Sequence, residues 1–367
     1  MKLLVDIQCL QTKSKKRGIG HFAKGFLKAL SDRQWGSDFD LHVLYNTELD
    51  RLESDILQWI GRDCVHSFNG SKKHSYAEEV NGIKPDVLLL PSLLAEYDQD
   101  IIYEPKALDL SVKLGYVVHD FFDHDILIKN KQYSQYLDYL KKADLLFPNS
   151  KFTSQECKKY LGNAGFVIYP DIQQELFQSI DRNIFDAFVD RYGISDKFIF
   201  YCGGHDDRKN VWRLLSAYAS FPEDFRSEIN LVIAGGVGRY ANYEGTPGVV
   251  LTQALSSEEL AMAYRKCHLF VFPSLFEGFG LPVLEALKLG AIVVASKAEA
   301  VSEVLNHYSP ALFDPYNDEE IAEFLYKGCT DNLFRLGLNH HQRLREKDFS
   351  WNRSISDFIN AINEVAK

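Results

Sequence analysis

The chain has 367 residues, is 46% hydrophobic and carries a formal net charge of −10. That length exceeds one typical core and points to two domains of similar size, while the acidic balance excludes nucleic acid as the main partner, since a phosphate backbone selects a basic face. No apolar run reaches the ~18–20 residues of a membrane span, Met1–Leu10 has the wrong order of charges for a secretory signal, and the scattered Cys9, Cys64, Cys157, Cys202, Cys267 and Cys329 make no C-x-x-C pair, so the expectation is a cytoplasmic protein without a zinc or redox motif.

In chain order, short apolar runs at Leu3–Ile7, Leu41–Tyr45, Val87–Leu90, Tyr116–Val118 and Leu145–Phe147 alternate with helix-length segments and predict a first βα domain. The region around Tyr169–Arg191 is less regular. The pattern then restarts with Phe198–Cys202, Leu231–Ala234, Leu269–Phe272, Ile292–Ala295 and Ala311–Phe313. Such alternation predicts two parallel sheets covered by helices on both faces, with ligands beyond the carboxyl ends of the strands and a cleft between the domains. In the tail, Ile355, Phe358, Ile359, Ile362 and Val365 recur at helical spacing and predict a final helix. The expected boundaries are 1–170, 171–350 and 351–367.

Four constellations bear chemistry. After the first strand comes a basic loop (Lys13, Lys15, Lys16), then Arg17, Gly18, Ile19 and Gly20 at the head of a helix striped with Phe22, Phe26 and Leu30. A dinucleotide fingerprint requires G-x-G-x-x-G, and the third glycine position is Ala23, so the NAD reading fails. Second, His119 and Asp120 close the strand Tyr116–Val118. Third, Gly203–Asn210, with Arg208 and Lys209, follows the strand that opens the second domain. A fixed guanidinium and ammonium there would neutralise charge developing on a departing diphosphate without a metal.

The fourth, Leu269–Ser296, reads as strand, glycine loop, helix, strand, and sets Glu277 and Glu285 around one loop. Gly278 and Gly280 permit backbone conformations closed to other residues, Pro282 suits a first helical turn, and a helix starting near Leu281 would aim free N–H groups at the loop. The residues alone support an anion site flanked by two hydroxyl acceptors, or the ordinary scaffold of an α/β domain. D-x-D triplets at Asp38–Asp40, Asp98–Asp100 and Asp123–Asp125 read as loops rather than a manganese site.

The run Glu277-Gly-Phe-Gly-Leu-Pro-Val-Leu-Glu285-Ala resembles the E-x7-E motif of retaining GT-B glycosyltransferases of family 4 (group 1), of the bacterial polysaccharide type. The glycine loop, His119 and the Arg-Lys pair resemble that family's other motifs and appear in its order, although Gly203 stands where the family often has a further arginine. The resemblance implies a GT-B fold of two Rossmann-like domains facing across a cleft, with the last helix returning to the first domain. It implies a nucleotide-sugar donor, a GDP- or UDP-hexose with GDP-mannose first, and a saccharide or lipid-linked acceptor, with neither cofactor nor metal. Gly18, Gly20, Arg208, Lys209, Gly278, Phe279, Gly280 and Leu281 would then hold the donor diphosphate, Glu285 the ribose, and Glu277 and His119 the transferred sugar. Lys13, Lys15, Lys16 and Arg17 could touch an anionic membrane. A non-catalytic binding subunit and a GT-B nucleotide-sugar epimerase remain open beside the transferase.

Overall fold

A computed structural model describes residues 1–32, 39–92, 103, 108–109, 111–121, 131–177 and 182–365. The D-x-D triplets at Asp98–Asp100 and Asp123–Asp125, and Asp38 of the other, lie outside these residues. The chain divides into two units, Met1–Asp171 with Phe349–Lys367, and Ile172–Asp348.

The first unit is built on a parallel six-stranded sheet: β1 (Lys2–Asp6), β2 (Asp40–Asn46), β3 (Val65–Phe68), β4 (Val87–Leu90), β5 (Lys113–Val118) and β6 (Leu145–Pro148). Their order in space is β3-β2-β1-β4-β5-β6. Alternate residues of β1 enter different cores, because side chains of a strand point to opposite faces. Leu3 and Val5 pack with Phe22, Phe26, Ile355 and Phe358, whereas Leu4 packs with Leu88, Tyr116 and Val118. The helices Gly18–Leu30 and Trp351–Val365 therefore share one face of the sheet. Their contact is close at Gly25, where a Cβ would lie 2.6 Å from the Trp351 ring.

The second unit repeats the plan with β7 (Lys197–Tyr201), β8 (Ile229–Ile233), β9 (Val249–Leu251), β10 (Leu269–Phe272), β11 (Val293–Ser296) and β12 (Leu312–Phe313). Its order is β12-β11-β10-β7-β8-β9, again all parallel. Counted from its own first strand, each sheet runs 3-2-1-4-5-6, the doubly wound order. In that order the chain reverses direction between the first and fourth strands, and the loops leaving their carboxyl ends diverge to form a crevice. In the second unit those strands are β7 and β10, followed by the Gly203–Asn210 and Glu277–Gly280 segments.

Candidate functional site

The loop after β7 is shaped by backbone geometry. Gly203 takes φ 144°, and a Cβ there would come within 2.7 Å of the Phe272 ring. A short 3-10 turn, Asp207–Lys209, then turns the chain, and Asn210 in the left-handed region leads into the helix Val211–Ala219. The Asn210 side-chain amide donates to the carbonyl of Pro273 (3.1 Å) and to that of Pro315 (2.7 Å). The Leu275 N–H donates to the Arg208 carbonyl at 2.7 Å. These bonds tie the β7 loop to the β10 loop at the reversal point of the sheet.

On this frame Glu277 meets both cations. Lys209 Nζ lies 2.6 Å from Glu277 Oε1, and Arg208 Nη1 lies 3.3 Å from Oε2. Ser274 Oγ donates to Oε1 at 2.7 Å, and Asp206 pairs with Arg208 Nε at 2.9 Å. Lys209 and Glu277 are both buried, and a buried charge persists only when paired. One of the three ammonium donors of Lys209 is used by Glu277, and the ammonium also lies 5.7 Å from the centre of the Phe272 ring. The sequence separates the Arg-Lys pair from the glutamate loop by 68 positions; the fold makes them one cluster.

Beyond Glu277, Gly278 and Phe279 are buried, and Gly280 adopts φ 104° before the helix Leu281–Lys288. Gly278 does not take the left-handed region, which corrects the expectation that both glycines are there for φ; Gly280 meets that need alone in this loop. The helix has no side-chain cap, but Pro282 in its first turn carries no N–H and the N–H groups of Val283 and Leu284 donate to the Gly280 carbonyl at 3.0 and 3.3 Å, so of this first turn the Leu281 N–H is the donor that suits an anion. Glu285, one turn in, is buried and accepts 2.7 Å from the Tyr264 hydroxyl. Burial pushes its pKa up to about 7, against the opposing effect of that hydrogen bond.

In the first unit, Gly18 opens its helix with Arg17 as the N-cap residue. Gly20 is buried, and a Cβ on it would meet the Lys15 backbone and the Ser14 carbonyl at 2.4 Å. The second glycine thus has a packing reason of its own, the seating of the helix on the turn Lys13–Lys16. Within the basic loop Lys15 pairs with Asp50 at 2.9 Å. His119 follows β5, edge-on to Phe22, with Nε2 2.8 Å from the Pro91 carbonyl. A carbonyl only accepts, so Nε2 carries the hydrogen and Nδ1 of the neutral ring is the acceptor. Burial lowers the pKa of this histidine and favours that neutral form.

Three groups escaped sequence reasoning. Asp6 ends β1 fully enclosed, accepting from the Gln8 N–H (3.0 Å), the Gln8 side chain (2.9 Å) and the Tyr76 hydroxyl (3.1 Å); burial raises its pKa to about 6. Ser274 and Tyr264 were also missed, since a serine after a strand and a tyrosine on an amphipathic helix carry no signal by themselves. Among the described residues, Asp40, His42 and Cys64 are placed so that together they could hold a metal ion. They lie on β2 and just before β3, and His42 already bonds both Asp40 and His66 at 2.9 Å. No helix of the described residues is long and apolar enough to cross a membrane.

Comparison with known proteins places this geometry. Residues 187–348 match the family model of glycosyl transferases group 1. The chain is 26% identical over 397 aligned positions to the serotype-specific mannosyltransferase WbdA of Escherichia coli, covering 96% of this chain and 46% of that protein. It is 29% identical to the O-antigen chain mannosyltransferase B of Escherichia coli over 45% of each. It thus spans about half the length of these curated relatives. Among solved structures, Anabaena Alr3699/HepE in complex with UDP-glucose superposes with a TM-score of 0.74 at 16% identity, over 99% of this chain and 100% of that one. That likeness establishes the GT-B fold.

Proposed function

We propose that this GT-B chain, whose residues 187–348 form a group 1 glycosyltransferase domain, moves a hexose from a nucleoside diphosphate to an acceptor hydroxyl with retention at the anomeric carbon, as a family 4 enzyme. The observation that carries the reading is the meeting of Arg208, Lys209 and Glu277 beside an uncapped helix N-terminus at the sheet's reversal point. Cations and backbone N–H groups suit a diphosphate, and a carboxylate among them suits the hydroxyls of the sugar it bears.

In this reading the leaving diphosphate draws on Arg208, Lys209 and the N–H groups of Phe279–Leu281, which oppose the negative charge that develops as the glycosidic bond breaks. Glu277, held by Lys209 and Ser274, accepts hydroxyl hydrogens of the sugar and stabilises the oxocarbenium-like centre. Glu285 accepts from the ribose. His119 offers Nδ1 to the transferred sugar as a neutral acceptor. In the same reading Gly18 and Gly20 would serve the diphosphate from the first unit. With no covalent nucleophile assigned, attack is on the same face the diphosphate leaves, assisted by the leaving phosphate.

Mannose from GDP-mannose is the first donor choice, ahead of a UDP-hexose, because the two Escherichia coli relatives are mannosyltransferases. The UDP-glucose bound to HepE supports a nucleotide-sugar donor in this fold and keeps the UDP-hexoses in the test. A saccharide or lipid-linked acceptor, surface polysaccharide synthesis and a cytoplasmic location go with this reading. Lys13, Lys15, Lys16 and Arg17 would supply any peripheral contact with anionic lipid. Liposome flotation with and without anionic lipid at low salt tests that contact, and no flotation removes it. The function is tested with a panel of GDP- and UDP-hexoses: wild type should turn over one of them and Glu277→Gln should not. Turnover of none by wild type, or equal turnover by both proteins, would refute the assignment. Epimerised donor sugar without transfer would favour the epimerase.

A further inference from the structure

Tyr264 stands in the last turn of the helix Ser257–Lys266, a helix whose start is fixed by a capping box between Ser256 and Glu259. Its ring is fully buried, edge-on to Phe200 at 5.5 Å between centroids and tilted against Phe270 at 5.2 Å. The hydroxyl lies 2.7 Å from Glu285 Oε2 and 2.8 Å from Cys202 Sγ. Burial pushes the phenol and the thiol pKa values up, so both groups keep their hydrogens. The hydrogen bonds then run one way, from the Cys202 S–H to the Tyr264 oxygen and from the Tyr264 O–H to the carboxylate. Glu285 Oε1 accepts no hydrogen bond from the described residues, and no cation pairs with the group among them. A carboxylate held through one oxygen presents the other in a fixed direction.

We propose that Tyr264 is a positioning residue for the donor nucleoside: its hydroxyl holds the Glu285 carboxylate by Oε2 and so presents Oε1 to the vicinal hydroxyls of a ribose. This rests on the reading of Glu285 as the ribose-binding carboxylate. The arrangement spends no rotamer freedom of Glu285 at the moment of binding, which is where preorganised sites gain affinity. It also keeps a buried carboxyl ionisable close to neutral pH, since the titratable groups facing it are Tyr264 from its helix and Cys202 from the segment after β7. Ribose hydroxyls are donors, so they are recognised best when the acid is ionised.

The experiment measures binding of GDP and UDP, and of their 2′-deoxy forms, to the full chain by calorimetry across pH 5.5 to 9, with wild type, Tyr264→Phe and Glu285→Gln. For the nucleotide that wild type binds tighter, Tyr264→Phe is expected to raise Kd about 5- to 10-fold, the scale of one ordinary net hydrogen bond, because the bond lost positions Glu285 and does not touch the ligand. The pH at which affinity is half lost should move upward, because the bond that favours the ionised acid is gone. With the 2′-deoxy nucleotide the Tyr264→Phe penalty should shrink to about twofold, a coupling that a purely structural role would not produce. If Glu285→Gln weakens binding and Tyr264→Phe leaves affinity and its pH profile unchanged, the inference falls and the role of Glu285 stands. If Glu285→Gln binds as wild type does, the reading of Glu285 falls and the inference with it. Should Tyr264→Phe fail to fold, para-fluorophenylalanine at position 264 fills the hydroxyl's space without a donor and is held to the same outcomes.

Discussion

At the residue scale the site works through paired groups. Removing the ammonium of Lys209 by Lys209→Ala leaves Glu277 with Arg208 at 3.3 Å and Ser274 at 2.7 Å, and in the proposed reading would strip the diphosphate of a point charge. Loss of such a fixed charge is expected to lower kcat by about 10²–10³-fold, read as transfer at saturating donor. A smaller fall than tenfold would show that Arg208 and the helix terminus suffice. Asp6 gives a stability test with a definite sign. Its folded pKa, about 6, exceeds its unfolded value near 3.8, so the folded chain holds this proton to higher pH. Stability from this group is therefore greatest below about pH 4 and declines as pH rises towards 6, by roughly 3 kcal/mol at most. Urea unfolding at pH 4.5 and 7 should show a flatter pH dependence in Asp6→Asn than in wild type. Equal slopes would mean that Asp6 is not protonated at mildly acidic pH.

Elements were legible where apolar runs are central and long. The expected runs at Val87–Leu90 and Leu269–Phe272 coincide with β4 and β10, and the final helix spans Trp351–Val365. Two strands escaped: β3, VHSF, and β9, VVL, both at sheet edges. In β3 the polar His66 and Ser67 interrupt the apolar run, and β9 has only three residues, so neither gives a periodic signal, whereas the edge strands β6 and β12 coincide with expected apolar runs. Of the candidate-site residues, those with a chemical signature, Glu277, Glu285, Arg208 and Lys209, could be named from the sequence; those defined by their partners, Ser274, Tyr264 and Asp6, could not. Glycine roles were likewise hidden, since nothing in the sequence signals that Gly20 and Gly25 are close-packed, Gly20 against the backbone of the Lys13–Lys16 turn and Gly25 against Trp351. Gly25→Ala tests this. An alanine for glycine in a helix ordinarily stabilises by up to ~1 kcal/mol, but here the Cβ would press into Trp351. The expected result is a loss of about 1–3 kcal/mol by chemical denaturation, reduced in a Trp351→Leu background. A gain in stability would show that the two helices part easily.

For the whole molecule, the same doubly wound sheet occurs twice, and Arg208, Lys209 and Glu277, the groups proposed for phosphate and hydroxyl binding, meet at its reversal point in the second unit. The alternation of apolar runs was enough to expect two such sheets; their strand order was not legible, because order depends on which crossovers the helices make. Nothing in the glutamate loop names the sugar, since Glu277 would accept from the hydroxyls of any hexose. The decisive measurement is therefore transfer itself. Purified chain is incubated with GDP-mannose and, in parallel, UDP-hexoses, with a synthetic mannoside as acceptor, and the anomeric configuration of the product is read by nuclear magnetic resonance. The expected result is an α-linked product from an α-linked donor, lost in Glu277→Gln. A β-linked product, or transfer that survives Glu277→Gln undiminished, would contradict the account.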